Sequence, residues 1–157
     1  MTRSIVALVG LAACGPKIDP GPIPAERAAA PVRTVVVPVP DAPDLYLAAI
    51  VAAGSSWDAV GAEGTAQLTA SALVDAGAGE RGADAVRDAL FPAGNTFEVV
   101  VGREWTSLRL RCHRDDAAVC TALFLDALIR PRFDEADVLR LRDQQLQRLT
   151  DGLTTDE

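Results

Sequence analysis

The feature that most constrains this chain is a pair of neighbouring stretches with a period of two. Thr96 to Val101 is rich in β-branched residues, and in Trp105 to Cys112 the side chains of Leu108, Leu110 and Cys112 fall on one face while Arg109 and Arg111 fall on the other. Only Gly102, Arg103 and Glu104 separate the two stretches, which predicts an antiparallel hairpin. One face of that hairpin is apolar and needs a second layer to cover it.

Helical stretches on either side can supply the layer. Helix-favouring residues fill Thr65 to Ala76 and Gly77 follows, the pattern of a helix closed by a C-terminal glycine. Ala83 to Leu90 reads as a short helix stopped by Pro92. Asp115 and Asp116 are N-cap candidates for a helix carrying Val119, Ala122, Leu123, Leu125, Leu128 and Ile129, which Pro131 ends. Asp134 can cap a last helix running to about Thr150, with Phe133 and Val138 at the positions of a hydrophobic staple.

Ahead of these, Arg33 to Pro40 is valine-rich, but Pro38 and Pro40 cannot donate to a ladder, so a short edge strand is expected. Leu45 to Ala53 is apolar on both faces, as a central strand covered on both sides would be, although periodicity alone also allows a helix. The order strand, strand, helix, helix, strand, strand, helix, helix predicts an α+β domain with an antiparallel-rich mixed sheet packed against helices.

At 157 residues and 49% apolar, the chain can bury one core. A formal charge of -7 argues against a nucleic-acid partner and against an electrostatic grip on anionic membranes. Two Trp, one Tyr and four Phe leave little to stack on bases.

The helix from Thr65 carries Gln67, Ala70 and Ser71 at i, i+3 and i+4 of one face, after the run Ala53-Gly54-Ser55-Ser56-Trp57-Asp58 and Gly64. This layout resembles the zinc helix of the pitrilysin/insulinase metallopeptidases, where a strand ends in Gly-Ser and a loop leads to Gly, two residues, and then His-x-x-Glu-His. Later landmarks in the same order strengthen the resemblance. They are Gly94-Asn95, Gly102-Arg103-Glu104-Trp105-Thr106 and Arg130-Pro131-Arg132-Phe133-Asp134-Glu135. It spans about Val35 to Glu157, decides for a strand at Leu45 to Ala53, and implies a partial metallopeptidase half-domain over 33–157.

In that family two imidazoles one turn apart hold Zn²⁺, and the glutamate between them acts as base toward the bound water. Here the corresponding positions are Gln67, Ala70 and Ser71. The third family ligand, a glutamate about 75 residues further on in that family, falls near Gln147 and Arg148. His113 is the one histidine in the chain, so no two-His zinc site can be assembled within it. The resemblance therefore implies a homologue without catalytic residues and without zinc. Family members enclose a peptide chamber between homologous halves, often with zinc in only one. A zinc-bearing peptidase subunit is the implied partner, and peptide a possible ligand. The alternatives are a structural or binding lipoprotein, or a fragment of an active enzyme whose catalytic half is elsewhere. Asp151 to Glu157 stops where the family fold would continue, so a truncated piece with bare apolar edges is expected.

Residues 1–14 are of a different kind: Arg3, an apolar run from Ile5 to Ala13, then Cys14. The run is far short of the about 20 residues that span a bilayer. It reads as a secretory signal, and its exit, Leu11-Ala12-Ala13-Cys14, resembles a bacterial lipoprotein signal with Cys14 as the lipidated residue. That resemblance implies a periplasm-facing protein of the cell envelope, with Gly15 pointing to the outer membrane and a lipid as its only membrane contact. Residues 15–32 contain five prolines and read as a tether.

With Cys14 set aside, Cys112 and Cys120 form a local disulfide or remain two buried thiols. His113, among arginines, reads as a solvated loop residue, and Asp75 as a solvated acid at a helix end. Ser55 and Ser71 have no histidine within helical reach that could activate them.

Overall fold

The computed structural model describes residues 32–91 and 94–155. Cys14, the signal and tether segments up to residue 31, and Pro92 lie outside the described residues. The unit from Arg33 onward is built on a three-stranded sheet of β1 (Asp44–Val51), β2 (Thr96–Val101) and β3 (Thr106–His113), in the order β1-β3-β2 and antiparallel throughout. Helices α1 (Thr65–Asp75), α2 (Ala83–Leu90), α3 (Ala117–Ile129) and α4 (Glu135–Thr155) complete it. The α+β layer packing is as the sequence predicts.

β3 is central, and its alternation sets the core. Leu108, Leu110 and Cys112 point inward and are fully or almost fully buried. Leu47 and Ala49 of β1 and Phe97 and Val99 of β2 flank them. Leu73 of α1, Val86 and Leu90 of α2, and Cys120, Leu123 and Phe124 of α3 close over that face. Phe97 and Phe124 meet at 5.9 Å between ring centres. A disulfide joins Cys112 to Cys120 and so ties β3 to α3 inside this core. α4 lies outside the main core and packs on α1, where Leu141 meets Leu68, Ala72 and Ala76.

Two strand expectations are corrected. Arg33 to Pro40 forms no ladder, and Val35, Val36, Val37 and Val39 are exposed. Two of its residues are prolines without an N–H, and among the described residues no strand lies alongside it. The stretch from Leu45 is not a central strand covered on both sides. It is an edge strand with Tyr46 and Ile50 on an open face, because β3 takes the middle position and bonds to both neighbours.

The helix caps also differ from expectation. Arg114–Asp116 forms a 3₁₀ turn ahead of α3, and His113 serves as its cap, with Nδ1 accepting from the Asp115 N–H at 3.4 Å. Asp116, at the start of α3, makes no side-chain cap bond, and its carboxylate accepts from the Asn95 amide at 3.4 Å. His113 is thus a turn residue whose backbone N–H is also held by Asn95 Oδ1 at 2.9 Å. The Asp134 carboxylate receives two hydrogen bonds from Arg132. Gly77 does follow α1 in the left-handed region, at φ 94°.

Candidate functional site

The site is built on the first two turns of α1. Its start is fixed by a residue the sequence pattern did not single out. Asp58 accepts from the Gly64 N–H through Oδ2 and from the Ala66 N–H through Oδ1, both at 2.8 Å, which satisfies two of the free donors of the helix N-terminus. An acid six residues upstream escapes a search for an adjacent cap. Replacing Asp58 with Ala is expected to cost about 1 kcal/mol of stability in urea unfolding, with Asp58→Asn recovering most of it. Equal stability of Asp58→Ala and the parent would remove Asp58 from this role.

Past this cap, Gln67, Ala70 and Ser71 line one side of the helix. Ala70 and Ser71 are buried, and the Gln67 amide donates to Ser71 Oγ at 3.3 Å. Asp75, one turn further on, keeps an exposed edge, but crowding around its carboxyl raises its pKa. The nearby Arg140, Arg87 and Arg148 pull in the opposite direction.

α4 crosses this helix and decides what faces it. The Arg140 guanidinium donates to the Asp75 carbonyl at 3.2 Å, and the Gln145 amide donates to the Gly64 carbonyl at 3.2 Å, so the two helices run antiparallel. Arg148 shares a cavity of about 470 Å³ with Glu63, Gly64, Gln67, Gln145 and Leu149. Gln147 does not line it and instead donates to Asp151 at 2.8 Å on the exposed side of α4. The structure therefore brings Gln67 and Arg148 together and leaves Gln147 out. Gln145 is a further site residue missed in the sequence, although Leu141, Gln145 and Arg148 at i, i+4 and i+7 mark one face of α4. On the other flank of α1, Ala70 borders a largely apolar cavity of about 300 Å³ with Val51, Trp57, Thr69 and Leu73.

These residues do not fit a zinc ion. Zinc takes imidazole, thiolate or carboxylate donors, whereas Gln67 and Arg148, which share the cavity, carry a carboxamide and a guanidinium, and Ala70 and Ser71 carry a methyl group and a hydroxyl. Among the described residues there is no cluster of three or more His, Cys, Asp or Glu side chains.

No protein-family profile and no curated protein sequence matches the chain. Solved structures do match it. The M16 peptidase inactive domain from Pseudomonas fluorescens aligns at 27% identity and a TM-score of 0.60, over 68% of this chain and 26% of that one. Pitrilysin aligns at 22% identity and a TM-score of 0.66, over 73% of this chain and 12% of that one. A protease from Helicobacter pylori aligns at 13% identity and a TM-score of 0.57, over 65% and 24%. The last two likenesses concern the fold, and in each case this chain spans a minor part of the other. The fold, the 27% likeness and the altered zinc-helix frame agree: the chain has the fold of a pitrilysin/insulinase-like (M16) peptidase half-domain and resembles part of it.

Proposed function

We propose that this protein is a non-catalytic family member that pairs with a homologous zinc-bearing peptidase and forms one wall of a peptide-binding chamber. One observation supports the reading: Gln67 of α1 and Arg148 of α4 line one cavity, at positions where the resemblance would put metal-binding side chains. A guanidinium there repels a divalent cation and leaves peptide contact as the use of the surface. The likeness to an M16 domain described as inactive supports this.

The same proposal places the protein in the bacterial envelope, facing the periplasm and held at the outer membrane by lipid on Cys14. The Cys112–Cys120 disulfide suits an oxidising compartment. Among the described residues no helix is long and apolar enough to cross a membrane.

Affinity purification of the full chain from its native envelope is expected to bring down a partner bearing His-x-x-Glu-His. The protein alone is expected to contain no stoichiometric zinc by elemental analysis. Tightly held zinc, or peptidase activity of the purified chain that a chelator abolishes, overturns the non-catalytic reading.

A further inference from the structure

β1 ends the sheet on one side, and its hydrogen bonding fixes what that edge offers. The Arg114 N–H donates to the Pro43 carbonyl at 2.8 Å, in step with the unbroken register that pairs Asp44 with His113 and Val51 with Thr106. Bonded and non-bonded pairs alternate along an antiparallel ladder. Leu45, Leu47, Ala49 and Val51 therefore bond to β3, while Asp44, Tyr46, Ala48 and Ile50 turn their N–H and C=O groups outward, where among the described residues no strand meets them. Exposed edges of this kind are commonly blunted by lysine, proline or a bulge. β1 has none of these, and its one charge, Asp44, is bonded to Arg111.

A second observation lies at the end of the same strand. Val51, Ala53 and Trp57 border the apolar cavity of about 300 Å³ that Ala66, Thr69 and Ala70 of α1 also line. The side chains of Ala53, Ala66 and Ala70 are small, which leaves the space open. The Asp58 carboxylate in its wall is used by the Gly64 and Ala66 N–H groups, and the Thr65 and Thr106 hydroxyls donate to the Ala62 and Ala53 carbonyls at 2.6 and 2.7 Å. The cavity thus offers a ligand mainly apolar contact. A cavity of about 150 Å³ takes a benzene ring, so this one has room for an aromatic side chain.

We infer that the outer edge of β1 takes up an extended peptide as a fourth strand, with one bulky apolar side chain of that peptide in the cavity. Main-chain bonds to Asp44, Tyr46, Ala48 and Ile50 supply affinity, and the cavity selects the side chain. Residues 33–39 of the same chain are a poorer occupant. Folded back about the turn in which the Ala42 N–H meets the Val39 carbonyl, they place Arg33 opposite Ala48 and leave Ile50 and the cavity uncovered. The inference rests on reading the protein as one that binds peptide, and it names an edge on the other flank of α1 from Gln67 and Arg148.

The test is fluorescence anisotropy of a dye-labelled, end-blocked octapeptide that alternates threonine and valine around one phenylalanine, titrated with the full chain. Replacing the phenylalanine with alanine is expected to weaken binding about tenfold or more. N-methylation of every second residue strips the donors from one edge of the peptide. One such set is expected to abolish binding and the complementary set to spare it. Ala48→Pro removes an outward N–H, leaves the β3 ladder intact and is expected to abolish binding. Thermal unfolding shows whether that variant is folded, and the peptide comparisons on the parent stand without it. No binding at millimolar concentration, equal effects of the two methylated sets, indifference to the phenylalanine, or full binding by folded Ala48→Pro overturns the inference. So does protection of the Tyr46 and Ala48 N–H groups from hydrogen exchange without peptide: in a monomer by sedimentation the edge then belongs to residues 33–39, in a dimer to a second copy. A partner subunit enters none of these measurements, so failure here and failure of the pairing proposal are separable.

Discussion

Leu108→Ala is expected to lower the unfolding free energy by about 3–5 kcal/mol, as measured by urea denaturation followed by circular dichroism. Leu108 is fully buried on the central strand, in register with Ala49 of β1 and Val99 of β2. Ladders on both sides pin its backbone, so the sheet cannot collapse into the space left by the missing side chain. Leu108 also borders the apolar cavity beside Ala70, and truncation enlarges a void that already exists. A domain of this size holds about 5–15 kcal/mol of stability in total, so this one change removes a large share of it. Ile129→Ala is the internal comparison. Ile129 is apolar too, but it is 73% exposed on α3, and its truncation is expected to shift stability by no more than about 0.5 kcal/mol. Equal losses at the two positions would mean that the core is not where β3 places it.

Gly54→Ala is expected to cost about 2–3 kcal/mol by the same measurement, for a steric reason alone. A methyl group at Gly54 would overlap the Gly102 carbonyl oxygen and lie 2.7 Å from the carbonyl carbon and oxygen of Arg103. Those are backbone atoms of the hairpin loop and cannot swing aside. They are held in turn by the Ser55 N–H on the Gly102 carbonyl at 3.0 Å, and by the Ser56 N–H and hydroxyl on the Arg103 carbonyl at 2.8 and 2.6 Å. Making room breaks this docking and displaces the turn that carries Asp58 to the start of α1. Gly82→Ala is the control, since a methyl group there meets nothing within 4 Å. Indistinguishable stabilities for the two variants would show that the turn does not dock on the hairpin.

The hairpin was legible because its inward set, Leu108, Leu110 and Cys112, repeats every second residue, and a one-residue slip would turn charged Arg109 and Arg111 into the core. α1 was legible from its run of helix formers and Gly77. The place of β1 was not, because an apolar strand reads the same in the middle of a sheet or at its edge. Asp58 and Gln145 were hidden for a related reason: each acts on a backbone group outside its own turn, Asp58 six and eight residues on at Gly64 and Ala66, and Gln145 across the fold at Gly64.

What the sequence determined by itself is chemical inventory. One histidine, and Gln67, Ala70 and Ser71 on a helix face, already exclude the family's two-His grip on zinc, because donor atoms cannot be supplied by folding. Only the tertiary structure decided whether Gln147 or Arg148 looks across at Gln67. Adjacent helical residues point about 100° apart, and the phase of α4 is set by Leu141 seating against Leu68, Ala72 and Ala76, a contact between helices that no local pattern encodes.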